Sequence, residues 1–314
     1  MGLMTAFKAN KAYRLQQKGD REGALKLYEE AYAEGLNDAR YNLAYALLLI
    51  RRGEYQKAKD FLVKHQKVLG MTTEQRVNLL VDYAVCCLRL GDVDKGISVL
   101  EQQFRKTETG SIYQTLGYLY VEKYDAANRP DFEALKEAAP EAEAAAEAAP
   151  EAEAAGETAP EAAPETEAAP EAEAAVETAP AAEPAGETAP EAPAEKALSP
   201  EEAWQAGQDK AEEFIRQGVD YDNQDAICLD NLGQFCYRVK GDKDEAKKWF
   251  KKALAIREGQ IDTLYFLSRY DEEAGDKDAA LDKLEKALGG RFSPLNYCTR
   301  DMVEKEIARL KGER

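Results

Sequence analysis

The chain has 314 residues, of which 32% are charged, and its formal net charge is −18. Residues 137–196 hold 17 Glu and one Lys, a net of −16, so only −2 of the −18 falls on the rest. Neither part has the basic footprint of a nucleic-acid-binding protein, and no run of 18 apolar residues predicts a membrane span. The first eight residues lack the apolar core of a signal peptide, so we expect a soluble, cytoplasmic protein.

Residues 5–130 have a helical pattern, in which apolar residues recur at spacings of three and four and glycines punctuate the chain. A short phrase recurs there. A glycine followed by Asp or Glu comes first, a small residue lies five positions after the glycine, and a large apolar residue lies four further on. The phrase begins at Gly19, Gly53 and Gly91. Glycine permits a left-handed helix end, the acidic residue suits the next helix start, and the small residue allows close helix packing.

Residues 131–199 form a low-complexity segment of Ala, Glu, Pro, Thr and Gly, with a proline every ten residues from Pro140 to Pro190. The segment has too few large apolar residues to bury a core, and its prolines interrupt any helix. We predict a disordered acidic insertion with short transient helical turns.

Residues 200–292 return to the helical pattern, and the phrase reappears at Gly241 and Gly275. The steps from Gly19 to Gly53 and from Gly241 to Gly275 are both 34 residues. Each phrase predicts the turn and second helix of a helical hairpin, which cannot bury its apolar stripe alone and therefore stacks on its neighbours.

In residues 293–314, Thr299 can cap a last helix that carries Val303, Ile307 and Leu310 on one face. This pattern is typical of a terminal capping helix.

The repeats resemble the tetratricopeptide repeat family. Tyr113, Leu116-Gly117 and Tyr120 match the first helix of its unit, as does Leu232-Gly233. The resemblance implies an all-α solenoid of about six hairpins with an insertion in the fourth. We place the repeats at about 5–36, 37–73, 74–108, 109–223, 224–258 and 259–292. Two separate domains, one on each side of the insertion, remain the alternative.

The family's ligand groove is lined by the first helix of each hairpin, so the resemblance implies a row of candidate partner-binding residues. Their amides and guanidinium groups suit the backbone and carboxylates of an extended peptide. The alternative is that they form an ordinary solvated face. Ala9, Tyr13 and Ala44 stand where the family's clamp for C-terminal carboxylates has polar residues, which disfavours chaperone-tail binding. The row contains Asn10, Tyr13, Gln17, Arg40, Arg51, Asn78, Asp82, Arg89, Gln114, Tyr118, Asn231, Gln234, Arg238, Tyr265 and Arg269.

No catalytic motif is present, and the single histidine, His65, has no Ser or Cys partner at a recognisable spacing. The odd number of cysteines, with no Cys-x-x-Cys, predicts buried reduced thiols rather than disulfides or a metal site; the five are Cys86, Cys87, Cys228, Cys236 and Cys298. We therefore expect a non-enzymatic scaffold without cofactor or metal, a monomer or weak homo-oligomer, that binds a protein or peptide. A regulator that changes shape on binding a signalling peptide is the alternative. A third hypothesis places the acidic insertion in the groove as a competitor.

Overall fold

The computed structural model describes residues 2–134 and 198–312, and the predicted disorder of the insertion lies outside them. Within these ranges the regular structure is helical throughout, and none of the helices has the length and apolar character needed to cross a membrane. The helices are α1 Leu3–Gln17, α2 Arg21–Ala33, α3 Ala39–Arg51, α4 Tyr55–His65, α5 Thr73–Arg89, α6 Val93–Phe104, α7 Gly110–Tyr124, α8 Pro200–Tyr221, α9 Ala226–Gln234, α10 Lys243–Ile256, α11 Ile261–Glu273, α12 Lys277–Leu288 and α13 Arg300–Lys311.

Residues Met1–Arg129 and Glu202–Arg314 form one compact unit, and Pro130–Glu201 form a second. The second unit is described only at its ends. At one end, Asp131 accepts hydrogen bonds from the backbone N–H groups of Glu133 and Ala134 at 3.2 and 3.1 Å. At the other, α8 begins at Pro200.

Consecutive helices of the first unit pair into hairpins from α1–α2 to α11–α12, and α13 packs on α12. The hairpin interrupted by the insertion is closed by aromatic side chains, because Phe214 of α8 lies 5.1 Å from Tyr113 and 5.5 Å from Tyr120 of α7, between ring centroids. The predicted all-α solenoid of six hairpins, with an insertion in the fourth and a capping helix at the end, is confirmed. The exact residue limits of the repeats stay a prediction.

The recurring phrase builds each hairpin in the way its chemistry predicts. Its five glycines all have positive φ, from 69° to 89°. The aspartate after the glycine caps the next helix in three of the five repeats, where Asp20, Asp242 and Asp276 accept the backbone N–H three residues on. The small residues pack where the helices cross, and the large ones fill the groove beside them. The buried positions are Ala24, Ala58, Gly96, Ala246 and Ala280, with Tyr28, Leu62, Leu100, Phe250 and Leu284.

The fifth repeat has one residue more than its counterparts between the small residue of its first helix, α9, and the turn glycine. The small residue of the first helix precedes the turn glycine by seven positions at Ala12, Ala46, Ala84 and Ser268, but by eight at Gly233. The structure absorbs the extra residue in a π-helical turn at Phe235–Val239. The N–H of Asp242 therefore reaches the carbonyl of Cys236, six residues back, whereas Asp276 bonds to Asp271, five residues back.

The cores of the repeats contain the five cysteines, all of which are buried without a disulfide. Cys86 and Cys87 lie in α5, Cys228 in α9, and Cys236 in its π-helical turn, whereas Cys298 lies in the segment before α13. Burial raises the pKa of the Cys86, Cys228 and Cys236 thiols, the last to about 11. These thiols are therefore packing groups with little thiolate character.

We expect Gly233→Ala to destabilise the protein by about 1–3 kcal/mol, because the added methyl group would overpack the core. A Cβ at this position would lie 2.7 Å from two ring carbons of Phe250, whose side chain is fully buried. The matched control is Gly110→Ala, where a Cβ meets nothing within 4 Å. Urea unfolding of both variants measures the difference; an equal effect of the two changes would contradict this packing argument.

Candidate functional site

The row of predicted groove residues is partly covered by the chain itself. The segment 291–299 between α12 and α13, here called the return loop, lies against the first helices of several repeats. Arg89 of α5 donates from Nε to the carbonyl of Pro294 at 2.6 Å and from Nη2 to the carbonyl of Asn296 at 3.0 Å. At Arg89 the row therefore binds the backbone of a segment of the same chain.

Asp262, in the first turn of α11, anchors the return loop. Its buried carboxylate accepts hydrogen bonds from the Asn296 side chain at 3.0 Å, the Tyr297 N–H at 3.0 Å and the Cys298 N–H at 3.1 Å. Burial raises the pKa of Asp262, while these donors oppose that shift by stabilising the carboxylate. The side chain therefore fixes three successive residues of the loop, and sequence inspection did not single it out.

Arg238 is held by the surrounding protein rather than presented to a ligand. Its guanidinium donates to Glu122 at 2.8 Å, to Asp125 at 2.7 Å and to the Gln234 side-chain oxygen at 2.9 Å. The ring of Tyr297 from the return loop lies 4.1 Å from the guanidinium carbon. Only 7% of the side chain is exposed. Arg238 lies five residues after the small residue of its helix, as Arg51 and Arg89 do in theirs. In the fifth repeat this position is therefore a structural connection between α7, α9 and the return loop.

The other predicted residues on the C-terminal repeats are also engaged within the protein. Asn231 is buried and donates to the Gln114 carbonyl at 2.8 Å, and buried Gln234 donates to Asp230 at 2.8 Å. The Gln114 side chain bonds Asp225, and Arg269 donates to the hydroxyl of buried Tyr265. Tyr118 is 3% exposed. This half of the row forms the wall against which the return loop packs.

The N-terminal half of the predicted row is more open. Arg40, Arg51 and Asn78 are exposed, as is Gln17, whereas Asn10 and Tyr13 are half-buried. The Arg40 guanidinium stacks on Tyr41 at 4.4 Å, and the Tyr41 ring meets Tyr13 edge to face at 6.5 Å. Aromatic rings and a stacked arginine at an open surface are typical of residues that contribute most to protein binding.

Between α3, α5 and the return loop lies a cavity of about 540 Å³, here called the arginine cavity, to which Arg51, Asp82 and Arg89 contribute. A second cavity of about 230 Å³ is lined by Gln114, Tyr118 and Asn231. Arg291, Ser293, Leu295 and Asn296 line both cavities, so the return loop borders each of them.

Asp82 has an altered ionisation. Burial raises the pKa of its carboxyl to about 7, although the positive charge of Arg51 opposes the shift. Burial lowers the pKa of Arg51, and the positive charges of Arg291 and Arg21 lower it further. Near neutral pH the carboxyl of Asp82 therefore balances only part of the positive charge around it.

The comparisons with known proteins agree with this architecture. Residues 17–103 match the family model of anaphase-promoting complex, cyclosome, subunit 3, and residues 228–260 match a tetratricopeptide repeat model. No curated protein matches the chain.

The solved structures similar to this chain share its fold at low sequence identity. A thermophilic tetratricopeptide repeat protein of Thermus thermophilus is 14% identical, with TM-score 0.52, over 87% of this chain and 99% of its own. PilW, a type IV pilus biogenesis factor, is 11% identical, with TM-score 0.52, over 91% of this chain and 93% of its own. The human IFIT1 dimer, solved with m7Gppp-AAAA, is 15% identical, with TM-score 0.53, over 96% of this chain and 53% of its own. These likenesses show the fold alone.

We expect Asp262→Ala to release the return loop, because three N–H donors lose their shared acceptor. Alkylation of buried Cys298 in the folded protein, followed by mass spectrometry, should accelerate at least about tenfold. Exposed Asp301→Ala is the control and should leave the rate unchanged. Protection of Cys298 in Asp262→Ala equal to that of the wild type would refute the anchoring role.

We expect Asp82 to make the protein less stable as pH rises from 5 to 8. A carboxyl whose pKa is higher in the folded state, here about 7, binds more protons when folded, so its contribution is full at low pH and is lost as pH rises through 7. The loss should be about 1–2 kcal/mol, allowing for the solvent that reaches this half-buried group. Urea unfolding at pH 5 and pH 8 should show a smaller change in the free energy of unfolding for Asp82→Asn than for the wild type. An equal change in both proteins would exclude Asp82 as the cause of the pH dependence.

Proposed function

Because this chain is a tetratricopeptide repeat protein, we propose that it is a non-catalytic scaffold that binds a short segment of a partner protein in the open half of its groove. The observation that carries the proposal is the return loop. The guanidinium of Arg89 holds the backbone carbonyls of Pro294 and Asn296, so this surface already accommodates a peptide backbone. In the described ranges, Arg40 and Asn78 on the N-terminal repeats are exposed side chains of the same kinds.

The proposed partner surface, here called the open groove, consists of Asn10, Tyr13, Arg40, Arg51, Asn78 and Asp82. Arg40 and Asn78 are exposed and can pair with a partner, and half-buried Tyr13 offers part of its ring with little rotamer entropy to lose, whereas Tyr41 is buried beneath Arg40. Stacking of Arg40 on Tyr41 pre-orders its guanidinium, which lowers the entropic cost of using it in binding.

The remaining predicted residues receive a different role in this proposal. Arg238, Gln234, Asn231 and Tyr265 support the return loop and its neighbouring helices, so their substitution is expected to affect stability before binding. The regulatory alternative, in which a signalling peptide changes the shape of the solenoid, remains a hypothesis. It differs from the scaffold proposal in requiring a ligand-dependent change in small-angle X-ray scattering.

We expect the double variant Tyr13→Ala and Arg40→Ala to lose at least about fivefold in capture of its partner from native extract, since both side chains belong to the open groove. The matched control is Lys26→Ala with Lys251→Ala, which changes exposed residues of the second helices α2 and α10. Circular dichroism verifies that all proteins are folded.

A photo-crosslinking amino acid directly locates the surface that contacts the captured partner. Placed at exposed Asn78, it should attach to the captured partner, whereas at Lys251 on α10 it should not. Equal crosslinking from both positions, together with unchanged capture by the Tyr13 and Arg40 variant, would move the interaction away from the groove.

A further inference from the structure

We propose that the arginine cavity binds an acidic peptide segment, whose side-chain carboxylates pair with its arginines. This inference rests on the proposed scaffold function and names the chemistry of the segment that the groove takes. The cavity shares Arg51, Asp82 and Arg89 with the row of candidate residues, but its other arginines come from elements that the row did not include.

The side chains that line the cavity carry a strong excess of positive charge. Five arginines from five different elements converge on it, and Asp82 carries the only carboxylate among the described residues of its lining; the arginines are Arg21, Arg51, Arg89, Arg291 and Arg300. Outside residues 137–196 the chain carries a net charge of only −2, so five arginines beside a single aspartate are a local excess of positive charge. Like charges gathered in one place repel one another, so the arrangement favours occupation by an anion.

Among the described residues, four of these five guanidinium groups make no ion pair, although the charges of Arg51 and Asp82 influence each other. Within the described part of the chain, the side chains of Arg21, Arg51 and Arg291 make neither an ion pair nor a hydrogen bond. Arg89 donates to neutral carbonyls. Arg300 has Glu304 at 3.9 Å, on its own exposed helix face. The donors that face the cavity are therefore available to a ligand.

The rest of the lining favours a peptide over an isolated ion. Leu47 and Ile50 of α3 and Val81 and Val85 of α5 form an apolar floor beside the arginines. A volume of about 540 Å³ lies in the range of ordinary ligand sites and exceeds the needs of a single small anion. Arg89 at one wall already demonstrates how a backbone is held there.

Carboxylates match this donor set in geometry as well as in charge. A guanidinium presents paired N–H donors in a plane, which engage both oxygens of a carboxylate. Two or more acidic side chains on an extended segment could reach arginines on different walls, since Arg51 ends α3 and Arg291 belongs to the return loop. Glutamates near one another in sequence are therefore the expected recognition element.

The test is a fluorescence anisotropy titration of the full-length chain with fluorescein-labelled hexaglutamate and, as neutral probe, hexaglutamine. We expect Arg51→Ala with Arg291→Ala to weaken hexaglutamate binding at least about tenfold, because charge-assisted hydrogen bonds are lost. The control Lys26→Ala with Lys251→Ala removes the same charge from exposed second helices and should change the affinity at most about twofold.

A second full-length protein, with every glutamate between 135 and 197 changed to glutamine, removes any competition from the chain's own acidic residues. The proposal is wrong if hexaglutamate binds this protein no better than hexaglutamine, or if the Arg51 and Arg291 changes have no effect in it. It is also wrong if inorganic phosphate at the same concentration of charge displaces the peptide, since the cavity would then hold a simple anion.

These results are separable from the fate of the scaffold function. One outcome is that partner capture depends on Tyr13 and Arg40 while hexaglutamate binding is unaffected by the Arg51 and Arg291 changes. That result would support the scaffold proposal and refute the acidic ligand. If neither partner capture nor hexaglutamate binding changes in these variants, the groove is not the binding surface and both proposals are wrong.

Discussion

A single helical hairpin cannot bury its own apolar stripe, and the rest of this structure depends on how closely neighbouring helices approach to solve that problem. The approach is set by a small residue, alanine, glycine or serine, at each crossing, with a large side chain filling the space beside it. In the fifth repeat, for example, Gly233 of α9 lies directly against the ring of Phe250 in α10. Once stacking is fixed in this way, the first helices stand side by side, and their remaining faces form one continuous surface on which the return loop and the arginine cavity are built.

Much of the fold could be predicted from the sequence, because its determinants are local and repeat. Glycines such as Gly19 and Gly241 are the residues that best tolerate the left-handed turn between helices, and the spacing of the small and large residues follows from helix geometry. The terminal helix could also be predicted from the sequence, since Thr299 caps it and Val303 lies on its buried face. Even the split fourth hairpin could be recognised, because Ala211 and Ile215 of α8 complete the pattern that α7 begins.

The candidate site could be predicted only in part, because periodicity tells which face of a helix is free of its neighbours but not what else covers it. The return loop has no repeat pattern, and its place in the groove depends on Asp262, about 35 residues earlier in the chain. The sequence also contains one irregularity of spacing, because Gly233 and Gly241 are eight positions apart, whereas the equivalent residues of the other repeats are seven apart. It marks the π-helical turn that carries Arg238, and such turns are often found at specialised positions.

The return loop makes the groove of this protein a surface with a tethered occupant. A segment joined to its own binding site competes at an effective concentration that is on the order of millimolar for short flexible connections, whatever the total protein concentration. A free peptide that also sought the donors of Arg89 would face this constant competitor, and its apparent affinity would fall by the fraction of time the loop is bound. Under the proposed function, the affinity of that part of the groove would thus be set by the strength of an intramolecular contact, and a partner that displaced the loop would contact a longer surface than the one open to it at first.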